Sequence, residues 1–170
     1  MAREEPTPVE ETVTLDCGTK ITGFKENGRI LKGKIKYPNG DSYRGSILEN
    51  AAFGEGEMNY FNGDVYIGQM NEDKRSGQGQ LFLANGNEYR GNFSDDMFEG
   101  SGVFKFVNGN VFTGKYANGK KNGEGLFEFQ NGDYMKCDWK DGVPHGVGVI
   151  AEVGEENSAE WKNGQLMALV

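Results

Sequence analysis

The sequence has few of the residues from which metal centres and disulfide frameworks are built. It contains only two cysteines, one histidine and four prolines in 170 residues. Cys17 and Cys137 lie far apart in the chain, and neither has a second metal-type residue at the short spacing of zinc sites. We therefore expect no zinc site and no disulfide, which fits a chain kept in a reducing compartment.

Long apolar segments and excess positive charge are also missing. No apolar run approaches the roughly 18 residues that a membrane helix needs, and the start of the chain does not resemble a secretory signal, so we expect a cytoplasmic protein. The net charge of −8 argues against nucleic acid as a partner, because binding to phosphates requires a basic surface. It argues less strongly against anionic membranes, since one local basic cluster is present, formed by Lys115, Lys120, Lys121 and Lys136.

Candidate catalytic and cation-binding motifs are weak. His145 has no serine or cysteine placed to complete a triad. The acidic group Asp95, Asp96 and Glu99 lacks the alternating oxygen ligands of a calcium loop. The segment GKYANGKK at 114–121 resembles a phosphate-binding loop but lacks its final Ser or Thr and the helix that should follow. We expect no catalytic residue, no metal and no cofactor.

Glycine and aromatic residues, in contrast, are abundant and regularly spaced. Glycine accounts for 27 of 170 residues, about twice its usual share of roughly 7 %. A Tyr-x-Gly triplet or a variant of it starts near residues 21, 43, 66, 89, 112 and 135, so the period is 22 and then 23 residues. The units also carry Gly-x-Gly and Asn-Gly pairs, such as Gly77 with Gly79 and Asn85 with Gly86. A period of this length is typical of a stacked array of small units.

Each unit is predicted to be a β-hairpin. Asn-Gly tolerates positive φ at both central positions of a type I′ turn, so we expect Asn-Gly to join neighbouring units and the Gly-x-Gly segment to form a longer connection within each unit. Strand alternation places aromatic side chains on one face and polar side chains on the other. The predicted fold class is therefore all-β, a single-layer antiparallel meander of stacked hairpins in the shape of an elongated, twisted half-pipe.

The repeated pattern resembles the MORN repeat (membrane occupation and recognition nexus): Tyr-x-Gly-x-aromatic, then Gly-x-Gly-x-apolar-x-aromatic, then Asn-Gly followed by Asp or Asn. The resemblance covers residues 13–164, ending in a half repeat from 157. Residues 1–12, rich in Glu and Pro, are expected to form a disordered acidic tail, and residues 165–170 an apolar C-terminal tail. The resemblance implies a scaffold or adaptor, often in cytoskeletal, ciliary or flagellar assemblies and in some cases a homodimer.

The aromatic face is the predicted partner-binding surface. A one-layer sheet leaves part of its apolar face open, and open aromatic surface is typical of a docking site for an extended peptide or an amphipathic helix. The predicted set is Tyr43, Tyr66, Tyr89, Phe93, Phe104, Phe106, Phe112, Tyr116, Phe127, Phe129 and Trp139.

Two other apolar surfaces are candidates. On the polar face, scattered apolar residues predict either a back patch or isolated exposed side chains; they are Ile67, Phe82, Val103 and Leu126. At the C-terminal sheet edge, a second group predicts self-association, partner docking or a folded-back tail; it comprises Trp161, Leu166, Met167 and Leu169.

The residues and the resemblance together predict a non-enzymatic scaffold that binds other proteins through the aromatic face, in a cytoskeletal or ciliary/flagellar assembly. The alternative is a peripheral membrane adaptor that binds anionic phospholipid. Homodimerisation, and regulation of an enzyme on another chain, remain open at this point.

Overall fold

The chain forms one open sheet in which the order of the strands is their order in the sequence. The computed structural model describes residues 9–152 and 154–169 and places them in 15 antiparallel strands, each paired with its sequence neighbours. This confirms the predicted single-layer antiparallel meander. The strands are β1 (Glu10–Thr14), β2 (Lys20–Glu26), β3 (Arg29–Lys36), β4 (Ser42–Leu48), β5 (Ala51–Asn59), β6 (Val65–Asn71), β7 (Lys74–Phe82), β8 (Glu88–Ser94), β9 (Met97–Lys105), β10 (Val111–Ala117), β11 (Lys120–Glu128), β12 (Tyr134–Lys140), β13 (Val143–Glu152), β14 (Glu155–Lys162) and β15 (Gln165–Leu169).

The part of the chain that the structure describes contains no helix of the length and apolarity needed to cross a lipid bilayer.

The turns differ from the prediction. The type I′ turns lie within the units, where two-residue turns such as Glu72-Asp73 have positive φ at both positions. The Asn-Gly pairs between units instead close five-residue loops, in which only the glycine is left-handed, as at Gly63 with φ of 93°, whereas Asn27-Gly28, Asn118-Gly119 and Asn163-Gly164 form type I′ turns. In the Gly63 loop the side chain of Asn62 stabilises the turn, because its Oδ1 accepts a hydrogen bond from the Asp64 backbone N–H at 3.0 Å. The Gly-x-Gly pairs are not connections at all, because they lie inside strands.

Adjacent interunit loops are joined by a repeated hydrogen bond. The residue that follows each Asn-Gly pair is an aspartate or an asparagine. Its Oδ1 accepts a hydrogen bond from a backbone N–H of the next loop along the array. The donor and acceptor pairs are Phe61 and Asp41 at 2.8 Å, Ala84 and Asp64 at 2.8 Å, Val107 and Asn87 at 2.9 Å, and Gln130 and Asn110 at 3.0 Å. The aspartate or asparagine therefore sets the spacing of the loops as well as the shape of its own loop.

The core is a layer of aromatic rings lying on bare backbone. The Tyr66 ring covers Gly68 and Gly79, and a Cβ on Gly79 would lie 2.3 Å from Cε2 of that ring. The Tyr66 hydroxyl donates to the Gln69 carbonyl at 2.7 Å. Tyr43, Tyr89 and Phe112 occupy the equivalent positions in their units and are fully buried. The glycines are therefore required by the close approach of rings to strands, as the alternation of the sequence indicated.

The sheet extends further at both ends than predicted. Glu10–Thr14, partly within the segment predicted as a tail, forms β1 and pairs with β2. Gln165–Leu169, also predicted as a tail, forms β15 against β14. Strand addition satisfies N–H and C=O groups that an edge would otherwise leave unpaired, which accounts for both differences. In the remainder of the predicted acidic tail, Val9 is exposed before β1, and residues 1–8 lie outside the described residues.

Candidate functional site

Most rings of the predicted binding face are core residues. Seven of the eleven are no more than 5 % exposed. Neighbouring rings cover one another edge to face, as Phe93 does with Tyr66 and Tyr89 at 5.1 Å between centroids, and Tyr43 lies on the backbone of Gly45 and Gly56. The seven are Tyr43, Tyr66, Tyr89, Phe93, Phe112, Tyr116 and Trp139. They cannot contact a partner directly, and they act by supporting the rings that remain accessible.

Four rings of the predicted set stay accessible and form one continuous strip, which we call the open Phe row: Phe104, Phe106, Phe127 and Phe129. Phe106 lies 4.7 Å from Phe104 and 5.6 Å from Phe127, and Phe127 lies 4.9 Å from Phe129, between ring centroids. Phe98, which sequence reasoning missed, stacks on Tyr89 at 3.8 Å and borders this row near Phe104.

A cavity opens beside the open Phe row. It has a volume of about 320 Å³, and we call it the Lys121 pocket; its walls are Phe98, Phe104, Phe106, Tyr116, Gly119, Lys120, Lys121 and Gly142. Half of the lining residues are aromatic, and the two glycines belong to the type I′ turns that close the β10–β11 and β12–β13 hairpins. The pocket thus lies where the second residue of each of two turns has no side chain.

Lys121 points its ammonium group among four aromatic rings. Nζ lies 4.4 Å from the centroids of Phe112 and Trp139, 4.9 Å from Phe127 and 5.4 Å from Phe106. Cation–π attraction offsets part of the cost of burying this charge. Burial nevertheless lowers the pKa of Lys121 to about 8. No salt bridge or side-chain hydrogen bond of Lys121 occurs within residues 9–152 and 154–169.

The basic cluster predicted from the sequence is not one surface. Lys115 and Lys136 are exposed and line a groove of about 550 Å³ on the polar face, whereas Lys121 lies on the aromatic face and Lys120 begins the strand after a turn. Alternation within a strand separates these side chains, since neighbouring residues point to opposite faces.

A different basic patch forms on the polar face of β2, β3 and β4. Lys20 lies directly opposite Lys36, and Lys34 lies directly opposite Arg44. Lys32 continues the patch on β3, and none of the five residues has a salt bridge to another described residue. Like charges placed opposite each other are destabilising. The alternating Lys-x-Lys-x-Lys at 32–36 was the signal in the sequence, and we call this surface the basic patch.

The candidate back patch is divided by polar residues. Gln80 and Arg90 separate Ile67 from Val103, and Thr113 separates Val103 from Leu126, in the register of the sheet. Ile67 and Phe82 are exposed, but the four apolar residues do not form one surface.

Comparison with protein families decides what the array is. A model of the MORN repeat matches residues 66–88, 89–111, 112–134 and 138–150. The chain is a MORN-repeat protein. Comparison with curated proteins finds no match.

Solved structures show likenesses of fold to this MORN array. The TCP10 domain of Danio rerio CPAP is 12 % identical with a TM-score of 0.50, over 95 % of this chain and 83 % of that one. The TCP domain of Drosophila melanogaster SAS-4 (dCPAP), in complex with a proline-rich motif of Ana2 (dSTIL), is 19 % identical with a TM-score of 0.46, over 98 % and 96 % of the two chains.

The C-terminal edge of the MORN array keeps apolar side chains in solvent. Of the residues predicted there, Trp161 is buried, and Leu166, Met167 and Leu169 are about half exposed or more on β15. Sheet pairing of β15 is described on its β14 side only.

The acidic residues near Asp95 are engaged within the array. Asp95 forms a salt bridge with Lys74 at 3.0 Å, Asp96 forms one with Arg75 at 3.1 Å, and Glu99 accepts from the Asn118 N–H. Among the residues that the structure describes, no three histidine, cysteine or acidic side chains are grouped to hold a metal ion.

Proposed function

We propose that this MORN-repeat protein is a non-enzymatic scaffold that binds a segment of another protein along the open Phe row, within a cytoskeletal or ciliary assembly. The observation that carries the proposal is a continuous strip of accessible rings on a buried aromatic layer. The cytoskeletal setting is supported by the MORN resemblance.

The open Phe row has the properties of an interaction site. Its rings contact one another over three successive pairs, so the exposed aromatic surface is continuous rather than scattered. Buried Trp139 stacks against Phe127 at 6.2 Å between centroids and in turn contacts buried Phe112, so the row is supported without a second layer of secondary structure. Rigid aromatic anchors lose little conformational freedom on binding, which favours affinity.

Proximity labelling from the tagged chain in its own cells tests this proposal. Phe106→Ser with Phe129→Ser should remove the labelling of specific cytoskeletal or ciliary proteins, because the strip loses two accessible rings. Ile67→Ser with Phe82→Ser is the control, since these two apolar side chains are exposed on the other face. Equal labelling by both double variants, with both folded, would contradict the proposal.

A second candidate function is binding to anionic phospholipid through the basic patch. The supporting observation is five cationic side chains on three adjacent strands, two pairs of them directly opposite, in a chain of net charge −8. A basic residue near an anionic membrane contributes about 1 kcal/mol.

Sedimentation with vesicles tests the second candidate. Vesicles of phosphatidylserine and phosphatidylcholine should bring down the chain, and pure phosphatidylcholine vesicles should not. Lys34→Glu with Lys36→Glu should abolish sedimentation, whereas Lys115→Glu with Lys136→Glu, which makes the same charge change outside the patch, should not. Equal loss in both variants would indicate a response to net charge alone.

A further inference from the structure

Two units of the array place a carboxylate against the preceding hairpin. Asp73 Oδ1 accepts from the Ala52 N–H at 2.7 Å and from the Tyr37 hydroxyl at 2.6 Å. Asp96 Oδ1 accepts from the Arg75 N–H at 2.9 Å and from Arg75 Nε at 3.1 Å. Each aspartate is the second residue of a type I′ turn, so the repeat itself defines a carboxylate position beside the strand.

The following two units have glycine where the aspartate would be. Gly119 N–H donates to the Phe98 carbonyl at 3.0 Å and Gly142 N–H to the Lys121 carbonyl at 2.9 Å, as Asp96 N–H does to the Arg75 carbonyl at 3.1 Å. The backbone arrangement is therefore retained while the carboxylate is absent. Gly119 and Gly142 both line the Lys121 pocket, so the cavity occupies the place of the missing side chains.

The Lys121 pocket contains donors without acceptors. Arg75 has Asp96 as its counter-ion, whereas Lys121, at the equivalent strand position, has four aromatic rings and no salt bridge to a described residue. Tyr116 also lines the pocket, and its buried hydroxyl has no hydrogen-bond partner among the described residues. A half-buried cation without a counter-ion and a buried hydroxyl without a hydrogen-bond partner are both costly, and a carboxylate beside Lys121 would supply the missing counter-ion.

We propose that the Lys121 pocket binds a glutamate or aspartate side chain of a partner protein, with its carboxylate beside Lys121 as that of Asp96 lies beside Arg75. This rests on the proposed function and names the chemistry of the partner. Apolar residues flanking the acid contact Phe104 and Phe106. The lowered pKa of Lys121 agrees with an ammonium group that lacks its counter-ion.

Two peptides that differ in one charge test the proposal. Acetyl-Phe-Glu-Phe-amide and acetyl-Phe-Gln-Phe-amide are titrated into the full 15N-labelled chain, and the backbone amide signals of Gly119 and Gly142 are followed. The glutamate peptide should bind at least tenfold more tightly and shift both signals. Equal affinities, or shifts confined to other parts of the sheet, would overturn the proposal.

Matched variants separate the charge from the fold. Gly142→Asp supplies the carboxylate from within the chain and should weaken binding of the glutamate peptide at least tenfold. Gly142→Asn is the control, because Asn50 shows that asparagine is accepted at this turn position, with φ of 68°. Lys121→Gln should remove the preference between the peptides. Thermal unfolding confirms that each variant is folded, and equal binding by Gly142→Asp and Gly142→Asn contradicts the proposal.

The proposal for the Lys121 pocket and the proposed scaffold function can fail independently of each other. If the two peptides bind alike while Phe106→Ser with Phe129→Ser still abolishes labelling of cellular proteins, the scaffold proposal stands. The proposal that an acidic side chain binds in the Lys121 pocket is then refuted. If that double variant labels normally, the scaffold proposal itself fails.

Discussion

One methyl group on the ring-facing side of a strand should be enough to disturb the core. A Cβ on Gly125 would lie 2.5 Å from Cε2 of Phe112 and 2.8 Å from Cδ1 of Trp139, and both rings are buried. We expect Gly125→Ala to lower the free energy of unfolding by about 1–3 kcal/mol, the usual cost of overpacking. Glu124→Ala, on the exposed face of the same strand, should change it by less than about 0.5 kcal/mol. Chemical denaturation measures both, and equal values would mean that the rings move aside freely.

The buried ammonium of Lys121 should give stability an unusual dependence on pH. Its pKa of about 8 in the folded state lies below the ordinary value of about 10.4, so between these pH values the unfolded chain binds more protons. Stability due to this residue therefore rises as pH increases from 8 to 10. Tyr116, which faces Lys121 across the hairpin, has a pKa raised by burial and stays protonated in this range.

Lys121→Met should consequently be more stable than the parent at pH 7, with an advantage that shrinks toward pH 10. We expect the difference in unfolding free energy to fall by about 1–2 kcal/mol over this range, less than the full pKa shift implies because the side chain is partly accessible. Lys120→Met, at an exposed ammonium, should show no such trend in denaturation measured at each pH. A constant difference between Lys121→Met and the parent would show that the ammonium titrates normally.

Strand pairing was readable from the sequence, but the turn types were not. The period of 23 residues and the alternation around Tyr66 specify hairpins and the face that each ring occupies. Asn-Gly is compatible with more than one loop, and the hydrogen bond from Asp64 N–H to Asn62 Oδ1 selects the five-residue form. Among the true I′ turns, Asn118-Gly119 carries the usual Asn-Gly pair, whereas Glu49-Asn50 and Glu72-Asp73 carry no glycine and so gave no local signal.

The candidate site was predictable only in part for a similar reason. Alternation identifies the rings that share a face, but whether a ring is covered depends on its neighbours from other units. Phe93 is buried because two tyrosines meet it edge to face, whereas Phe129 has Phe127 as its one aromatic neighbour among the described residues and stays exposed. The Lys121 pocket depends on glycines in two separate turns, and these turns are brought side by side only by the folded sheet.

The two ends of the array differ in how their edges are protected. β1 carries Glu10 and Glu11, and charged side chains discourage pairing of an edge strand with another chain. β15 has the sequence QLMAL, without a charge, and exposes Leu166, Met167 and Leu169. Pairing of two β15 strands about a two-fold axis would extend the sheet and cover these side chains, so we expect the chain of residues 1–170 to dimerise through this edge.

Charge introduced on β15 should oppose this association. Leu166→Lys with Leu169→Lys should weaken dimerisation at least tenfold in sedimentation velocity over a concentration series, because lysines would face each other across the new pairing. Val147→Lys on β13 is the control, since Val147 is 69 % exposed but away from the edge. A dimer unaffected by the double variant, or no dimer in the parent, would exclude β15 as the contact. Dimerisation through β15 would leave the open Phe row of both copies accessible, so that one assembly presents two binding strips.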